Sequence, residues 1–380
     1  MPAELFSVEQ VERARRYHRP LYVALLLDVT LGLAVLSAAA FTGAGDRLYG
    51  AVDSLPWWGR ALAFPALVVG VSTLVRLPLA FWRGHVRERR WGFSTQTARG
   101  WLFDRLKSFG VGLVLTSAAV LALVGLARAF PRGWPVVAAP VAAAAVLLFG
   151  FVTPVVLEPL FNRFRPLQDA DLASRLRALA RRAGVPVRDV LVADASRRTR
   201  KLNAYVSGLG ATRRVVLFDT LLTAEEPRQI ELVVAHELGH RHARHVAKGT
   251  LLGMAGAAAA VVVLWELVSH PADPRQAPLV LLLVTALELA ALPLGSAISR
   301  RWERHADRFS LELTRDLEAF ETAHVRLAAA NLSDLAPPRP VYALLFTHPT
   351  APERVAAGRA WAAGTRSDSH SDTPLLAGSE

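Results

Sequence analysis

Ile230-Glu231-Leu232-Val233-Val234-Ala235-His236-Glu237-Leu238-Gly239-His240 is the stretch on which the reading of this chain turns. It ends in the form His-Glu-x-x-His. Residues four apart share one helical face, so a helix over Glu225–His245 points the imidazoles of His236 and His240 at one place. Imidazole nitrogen suits zinc, and a catalytic zinc keeps one position open for water. Glu237, beside the first ligand, reaches that water as a general base. The apolar run before the motif argues for a buried helix rather than a surface helix with two spare histidines.

Outward from this helix, the chain of 380 residues is 52% hydrophobic. Long uncharged stretches alternate with arginine-crowded loops, the pattern of a polytopic membrane protein rather than one large soluble core. Six segments approach the roughly 20 apolar residues that a crossing helix needs: Leu21–Thr42, Ala61–Phe81, Phe109–Ala127, Trp134–Leu157, Val246–Val268 and Pro278–Ile298. Three charges fall inside them. Arg76 and Glu266 read as snorkelling to an interface, and Glu288 as either cavity lining or half of a structural pair. The first twenty residues are charged and amphipathic, without the short apolar core of a signal peptide.

Arginine placement gives an orientation. Arg13, Arg15, Arg16 and Arg19 precede the first span, and Arg83, Arg87, Arg89, Arg90, Arg99, Arg105 and Lys107 follow the second. The positive-inside bias places these segments, Glu158–His245 and the C-terminal region in the cytoplasm, which agrees with an even number of spans. The division that results is a cytoplasmic segment 1–20, four spans over 21–158 with a basic loop 83–107, and a catalytic region 159–245. Two more spans over 246–298, a second catalytic region 299–363 and a disordered tail 364–380 complete it. Topology and anionic lipid account for the net charge of +12, and no nucleic-acid motif is present. With no cysteine, thiol catalysis and disulfides are excluded, and a metal must be held by His, Asp or Glu.

Within the soluble part, Asp169–Ala183 reads as an amphipathic helix with Leu172, Leu176 and Leu179 on one face, ended by Gly184 and Pro186. Val190–Val192 is a short strand candidate. Asn203–Val206 and Arg214–Phe218 read as two strands about the Gly208–Leu209–Gly210 turn. A helix follows the last span over Ser299–Leu327. There Glu303 is the preferred third metal ligand, with His305 as its competitor, and Asp307, four residues on, shares its face. Asp307 would accept a hydrogen bond from a ligand histidine and fix its tautomer. Near the C-terminus, His348 and Arg354 are candidates to stabilise an oxyanion. His242 and His245 fall off the His236/His240 stripe and are not read as ligands. His18, His85 and His270 have no nameable partners.

Together these residues resemble the CAAX prenyl protease 1 family of integral-membrane zinc endopeptidases. The resemblance rests on His236-Glu237-Leu238-Gly239-His240 with His245, on Ser299-Arg300, Glu303 and Ala306-Asp307, and on Thr347-His348-Pro349 with Arg354. Asn203-Ala204-Tyr205, Arg213–Leu222, Pro159–Asn162 and Gly92–Thr97 extend it over most of the chain. It implies a mainly α fold: a polytopic helical protein enclosing a chamber, with a gluzincin-type catalytic domain that contains a small β-sheet. It implies one zinc on His236, His240 and Glu303, with Glu237 as base and Asp307 behind the ligands. Substrate contacts would come from His348 and Arg354. Backbone pairing of substrate would fall to Asn203, Ala204, Tyr205, Val206 and Ser207.

Three departures stand out. The family has seven spanning helices and the first has no counterpart here. Thr350 replaces the second proline of His-Pro-Pro, and a basic Arg200-Lys201 replaces a more polar stretch.

The expected activity is zinc-dependent peptide hydrolysis in a membrane, with a peptide or protein substrate, prenylated or otherwise membrane-associated, and lipid as partners. The alanine- and arginine-rich composition is that of a high-GC bacterium, whose inner membrane would hold the protein, and it favours quality-control proteolysis over CAAX processing. A non-catalytic zinc-containing scaffold is the alternative outside the enzyme class. A structural zinc would need four protein ligands, and the sequence offers three beside an intact Glu237.

Overall fold

The computed structural model describes residues 5–208 and 210–371. Four helices long and apolar enough to cross a membrane come first: Val8–Phe41 (α1), Trp57–Arg90 (α2), Ala98–Ala129 (α3) and Trp134–Phe161 (α4). In α1, Ser7 and Gln10 form a capping box, and the helix runs unbroken through Pro20. Residues 8–20 and the first span are therefore one rod, of which the hydrocarbon core needs only about 20 residues. No more than 22% of the most apolar window of any spanning helix is buried within the protein. Leu26, Leu74, Val114 and Leu148 lie bare, which only a lipid environment makes stable.

A four-stranded sheet follows, in the order β1 (Phe164–Pro166), β2 (Asp189–Ala193), β4 (Arg214–Phe218), β3 (Ala204–Ser207). β2 and β4 are parallel, and the outer pairings are antiparallel. β1, three residues ending in proline, carries too little pattern to be read from sequence. Helix α5 (Ala170–Arg182) begins where the Asp169 carboxylate caps the Leu172 N–H and ends at Gly184, whose φ of +68° suits glycine. Its Leu172, Leu176 and Leu179 pack on the sheet with Val215, Leu217, Ile230, Val234 and Leu238.

The metal-motif helix α6 (Pro227–His242) starts with proline at its first position, where the missing N–H costs nothing. It ends at His242, short of the His245 expected from sequence, and does not continue into the fifth span. Arg244 takes a left-handed conformation (φ +56°), and α7 (His245–Leu267) sets off afresh. A left-handed residue that is not glycine leaves no signature in sequence. Next, α8 (Ala277–Thr314) spans the membrane and projects beyond it, carrying Glu303 and Asp307 on the projecting part. α9 (Leu317–Ala330) and α10 (Ala351–Ser371) close the catalytic end. The expected disordered tail is corrected in part. Helical hydrogen bonding, once nucleated, carries α10 through residues 364–371. Residues 372–380 lie outside the described residues, as does Leu209 of the expected turn.

Arg76 does not snorkel. Its guanidinium forms a two-pronged ion pair with Asp28 (2.9 and 2.6 Å), tying α2 to α1 inside the membrane. This partner lies 48 positions away, beyond the reach of local pattern. Glu288 is exposed and has no ion pair among the described residues, on a face of α8 about 60° from that of Glu303. Glu266, one residue from the end of α7, is also exposed.

Removing one member of the Asp28–Arg76 pair strands the other charge in the membrane. Asp28→Ala is expected to cost about 1–3 kcal/mol, less than a fully buried pair because Arg76 is partly exposed. The Asp28→Ala/Arg76→Met double variant should recover most of that loss. Thermal unfolding of the four proteins in one detergent measures the coupling, and additive single losses would exclude it.

Candidate metal centre

α6 and α8 approach so closely that a Cβ on Gly239 would stand 3.1 Å from Ala306 Cα and 3.3 Å from Ala306 O. This contact lays the His236/His240 face of α6 against the Glu303/Asp307 face of α8. The three donors converge. His236 Nε2 lies 3.2 Å from His240 Nε2 and 3.2 Å from Glu303 Oε2, and His240 Nε2 lies 3.2 Å from Glu303 Oε1. Donors placed tetrahedrally about zinc at its usual bond lengths stand about 3.3 Å apart. Two imidazoles and a carboxylate at this spacing fit a zinc ion, and Glu303 Oε2 is buried without a hydrogen bond. Glu303 joins the histidines. His305 does not: its Nδ1 lies 3.3 Å from His245.

Electrostatics point the same way. Burial and the neighbouring Arg354 charge push the His236 imidazole down, yet the Asp307 and Glu303 carboxylates beside it outweigh them and hold it up at about 9. The site thus favours positive charge between its donors. His236 Nδ1 lies 2.9 Å from Asp307 Oδ1 and 3.2 Å from Arg354 Nη2, and its Nε2 faces the other two donors. Asp307 in turn accepts from Arg354, through Nε at 2.8 Å and through Nη2. The Arg354 side chain, 16% exposed, is engaged by Asp307 through Nε and Nη2 and lines the cleft beside His348. An acid–base pair 47 residues apart gives no local signal. His348 remains open, 60% exposed, with Nε2 3.3 Å from Glu303.

Several contacts of the site carried no local signal. Buried His324 lies 3.7 Å from Asp307, and burial together with the Arg354 charge pushes it down to about 3, so it adds no charge. His245, brought round by the Arg244 break, puts Nδ1 3.1 Å from His240 Nδ1 and stacks on Trp302 at 5.0 Å. Arg300 donates to the carbonyls of Tyr342 and Phe346, and Ser296 to that of Leu344, which anchors the segment leading to His348. Their spacing along α8 marks a shared face, but their partners are main-chain atoms.

A cleft of about 490 Å³ joins these parts, lined by Asn203 and Ala204 as well as His236, Glu237, His348 and Arg354. The Phe218 N–H bonds the Asn203 carbonyl, so alternation turns the amide groups of Ala204 and Val206 outward from the edge strand. The other strand residues are placed differently. The Val206 carbonyl accepts from Arg241, the Ser207 hydroxyl donates to Glu158 (2.6 Å), and the Tyr205 hydroxyl lies 3.5 Å from Glu158. Burial pushes the Glu237 carboxyl above its ordinary range against the pull of His236 and His240.

Spanning helices joined to a two-histidine, one-glutamate site with an adjacent glutamate define a membrane metalloprotease. Residues 166–362 match peptidase family M48, and residues 2–163 match the CAAX prenyl protease N-terminal region, described as five membrane helices. The chain belongs to peptidase family M48 and is a membrane zinc metalloprotease. It is 30% identical over 373 residues to the uncharacterized metalloprotease YhfN of Bacillus subtilis, which covers 93% of this chain and 85% of that protein. CAAX prenyl protease 1 of Saccharomyces cerevisiae is 33% identical over 188 residues, 49% of this chain and 42% of that one. The crystal structure of S. mikatae Ste24p shares the fold, with a TM-score of 0.84 at 24% identity, over 94% of this chain and 91% of that chain. Within residues 2–163, four helices among those described are long enough to span.

Asp307→Asn should weaken metal binding by about 10- to 100-fold, because His236 loses its charged acceptor and Arg354 its partner. Titration against a chelating dye reads this directly, and an unchanged affinity would remove Asp307 from the support of the site.

Proposed function

We propose that one zinc ion per chain, held by His236, His240 and Glu303, serves the hydrolysis of a peptide bond in the cleft beside Ala204. The observation that carries this reading is the meeting, in one cleft, of the three-donor cluster, Glu237 and the edge strand of the sheet. Bound there, zinc would supply Lewis acidity toward the scissile carbonyl and lower the pKa of water. Glu237 takes the proton of the attacking water and returns it to the leaving amine, a role suited to a carboxyl whose affinity for protons is raised by burial. His348, on the open side, hydrogen-bonds the developing oxyanion. Arg354 acts behind the ligands, holding Asp307 and standing 3.2 Å from His236 Nδ1.

The substrate backbone pairs with the outward amides of Ala204 and Val206, with Asn203 beside them, and Arg241 on the Val206 carbonyl limits how far the pairing extends. Tyr205 and Ser207 support the strand through Glu158. The cleft walls include Leu221, Leu232, Val233, Leu327 and Phe346, which suits an amphipathic, membrane-associated polypeptide. The catalytic end faces the cytoplasm of a bacterial inner membrane, on the arginine bias of the loops. The division into spans and catalytic regions follows the sequence reading, with residues 8–20 joined to the first span.

Glu237→Gln is expected to lower peptide cleavage by about a hundred- to ten-thousandfold while zinc content stays near one per chain. Cleavage unchanged in this variant would sink the mechanism. A farnesylated CAAX peptide and its unmodified form, compared in the same assay, sort the substrate. Preference for the farnesylated peptide supports C-terminal processing, and equal cleavage supports quality-control proteolysis.

A further inference from the structure

At the end of the spanning helices remote from the metal site, a cavity of about 450 Å³ opens between the ends of α2, α3 and α7 and the start of α8. The helical rise between Ala277 and Glu303 puts about 40 Å between this cavity and the metal ligands. Arg60, Arg128 and His270 line it, with Asp273 as its one carboxylate. Their charges are poorly matched. Asp53 serves two guanidinium groups at once, Arg60 at 3.3 Å and Arg275 at 3.9 Å. Asp273 is occupied in capping the Arg275 N–H at 3.0 Å. Arg60 Nε is buried without a hydrogen-bond partner. Arg128 lies over the Trp57 ring at 5.0 Å and has no carboxylate partner among the described residues. The positive-inside bias explains arginines at the catalytic end but not these, which gather at the other.

The depth of the cavity identifies what anion is at hand. Trp58, Phe130 and Trp265 stand exposed on the same helix ends, the position that aromatic side chains take at the level of lipid headgroups. A guanidinium offers the planar pair of donors that a phosphate accepts. We propose that this cavity binds the phosphate of an anionic phospholipid headgroup, with Arg60 and Arg128 as its donors. A lipid so bound ties three helix ends and the loop between α7 and α8 together, and holds the far end of the helices while substrate is handled at the other.

Native mass spectrometry of the purified full chain, after adding equal phosphatidylglycerol and phosphatidylcholine, tests this. Wild type should retain phosphatidylglycerol in preference. Arg60→Ala/Arg128→Ala should retain at least about tenfold less while still cleaving peptide, since neither residue is near the catalytic cleft. Equal retention of the two lipids by wild type overturns the proposal, and that comparison does not depend on whether the variant folds. Unchanged retention by a variant that cleaves peptide also overturns it. Inorganic phosphate alone raising the melting temperature as much as phosphatidylglycerol would assign the cavity to free phosphate and remove the lipid.

Discussion

The contact between Gly239 and Ala306 is the constraint on which the metal centre rests. Two helices from distant parts of the chain, one soluble and one rising from the membrane, touch where neither has room for a larger side chain. A side chain at Gly239 would push α6 from α8 and draw the donors from their 3.2 Å spacing, and overpacking of this kind costs about 1–3 kcal/mol even where the fold survives. The glycine inside the His-Glu-x-x-His motif is thus a packing residue rather than a flexible one. The helix around it is held on its other side by the sheet and by α5, through Ile230, Val234 and Leu238.

Behind the ligands, charge compensation proceeds in layers. Glu303 faces the two imidazoles, Asp307 sits behind His236, and Arg354 sits behind Asp307. Each group is buried only because the next supplies the opposite charge or a hydrogen bond, and loss of any one leaves its neighbour uncompensated. His324, kept neutral, fills the remaining side of Asp307 without disturbing that alternation. The same principle appears in the membrane, where Arg76 and Asp28 compensate each other across two spans.

The sequence was legible wherever a feature is periodic or compositional. Six apolar segments gave the spans, the three-residue stripe of α5 gave its buried face, and the i, i+4 spacing of His236/His240 and of Glu303/Asp307 gave two helix faces. That those faces meet each other is a tertiary fact, and the resemblance, rather than the spacing, implied it. What stayed hidden depends on contacts between remote positions or on backbone states open to any residue. Arg76 finds Asp28, Arg354 finds Asp307, and Arg300 finds two carbonyls of the segment before His348. Arg244 turns left-handed without a glycine to announce it. β1 was too short, and the polar end of α10 looked like coil because propagation of a helix needs less than its nucleation.

The turn at Arg244 also has a mechanical consequence. Had α6 run on into α7, the ligand-bearing helix would be the end of a lever whose other arm lies in lipid. A span tilts when bilayer thickness changes, and a rigid rod would carry that tilt straight to His240. With the helix broken at that one residue, α7 is not a rigid extension of α6, which packs between the sheet and α8. The break thus separates His236 and His240 from the tilt of α7, and leaves α8, which carries Glu303 out of the membrane, as the span joined directly to a ligand.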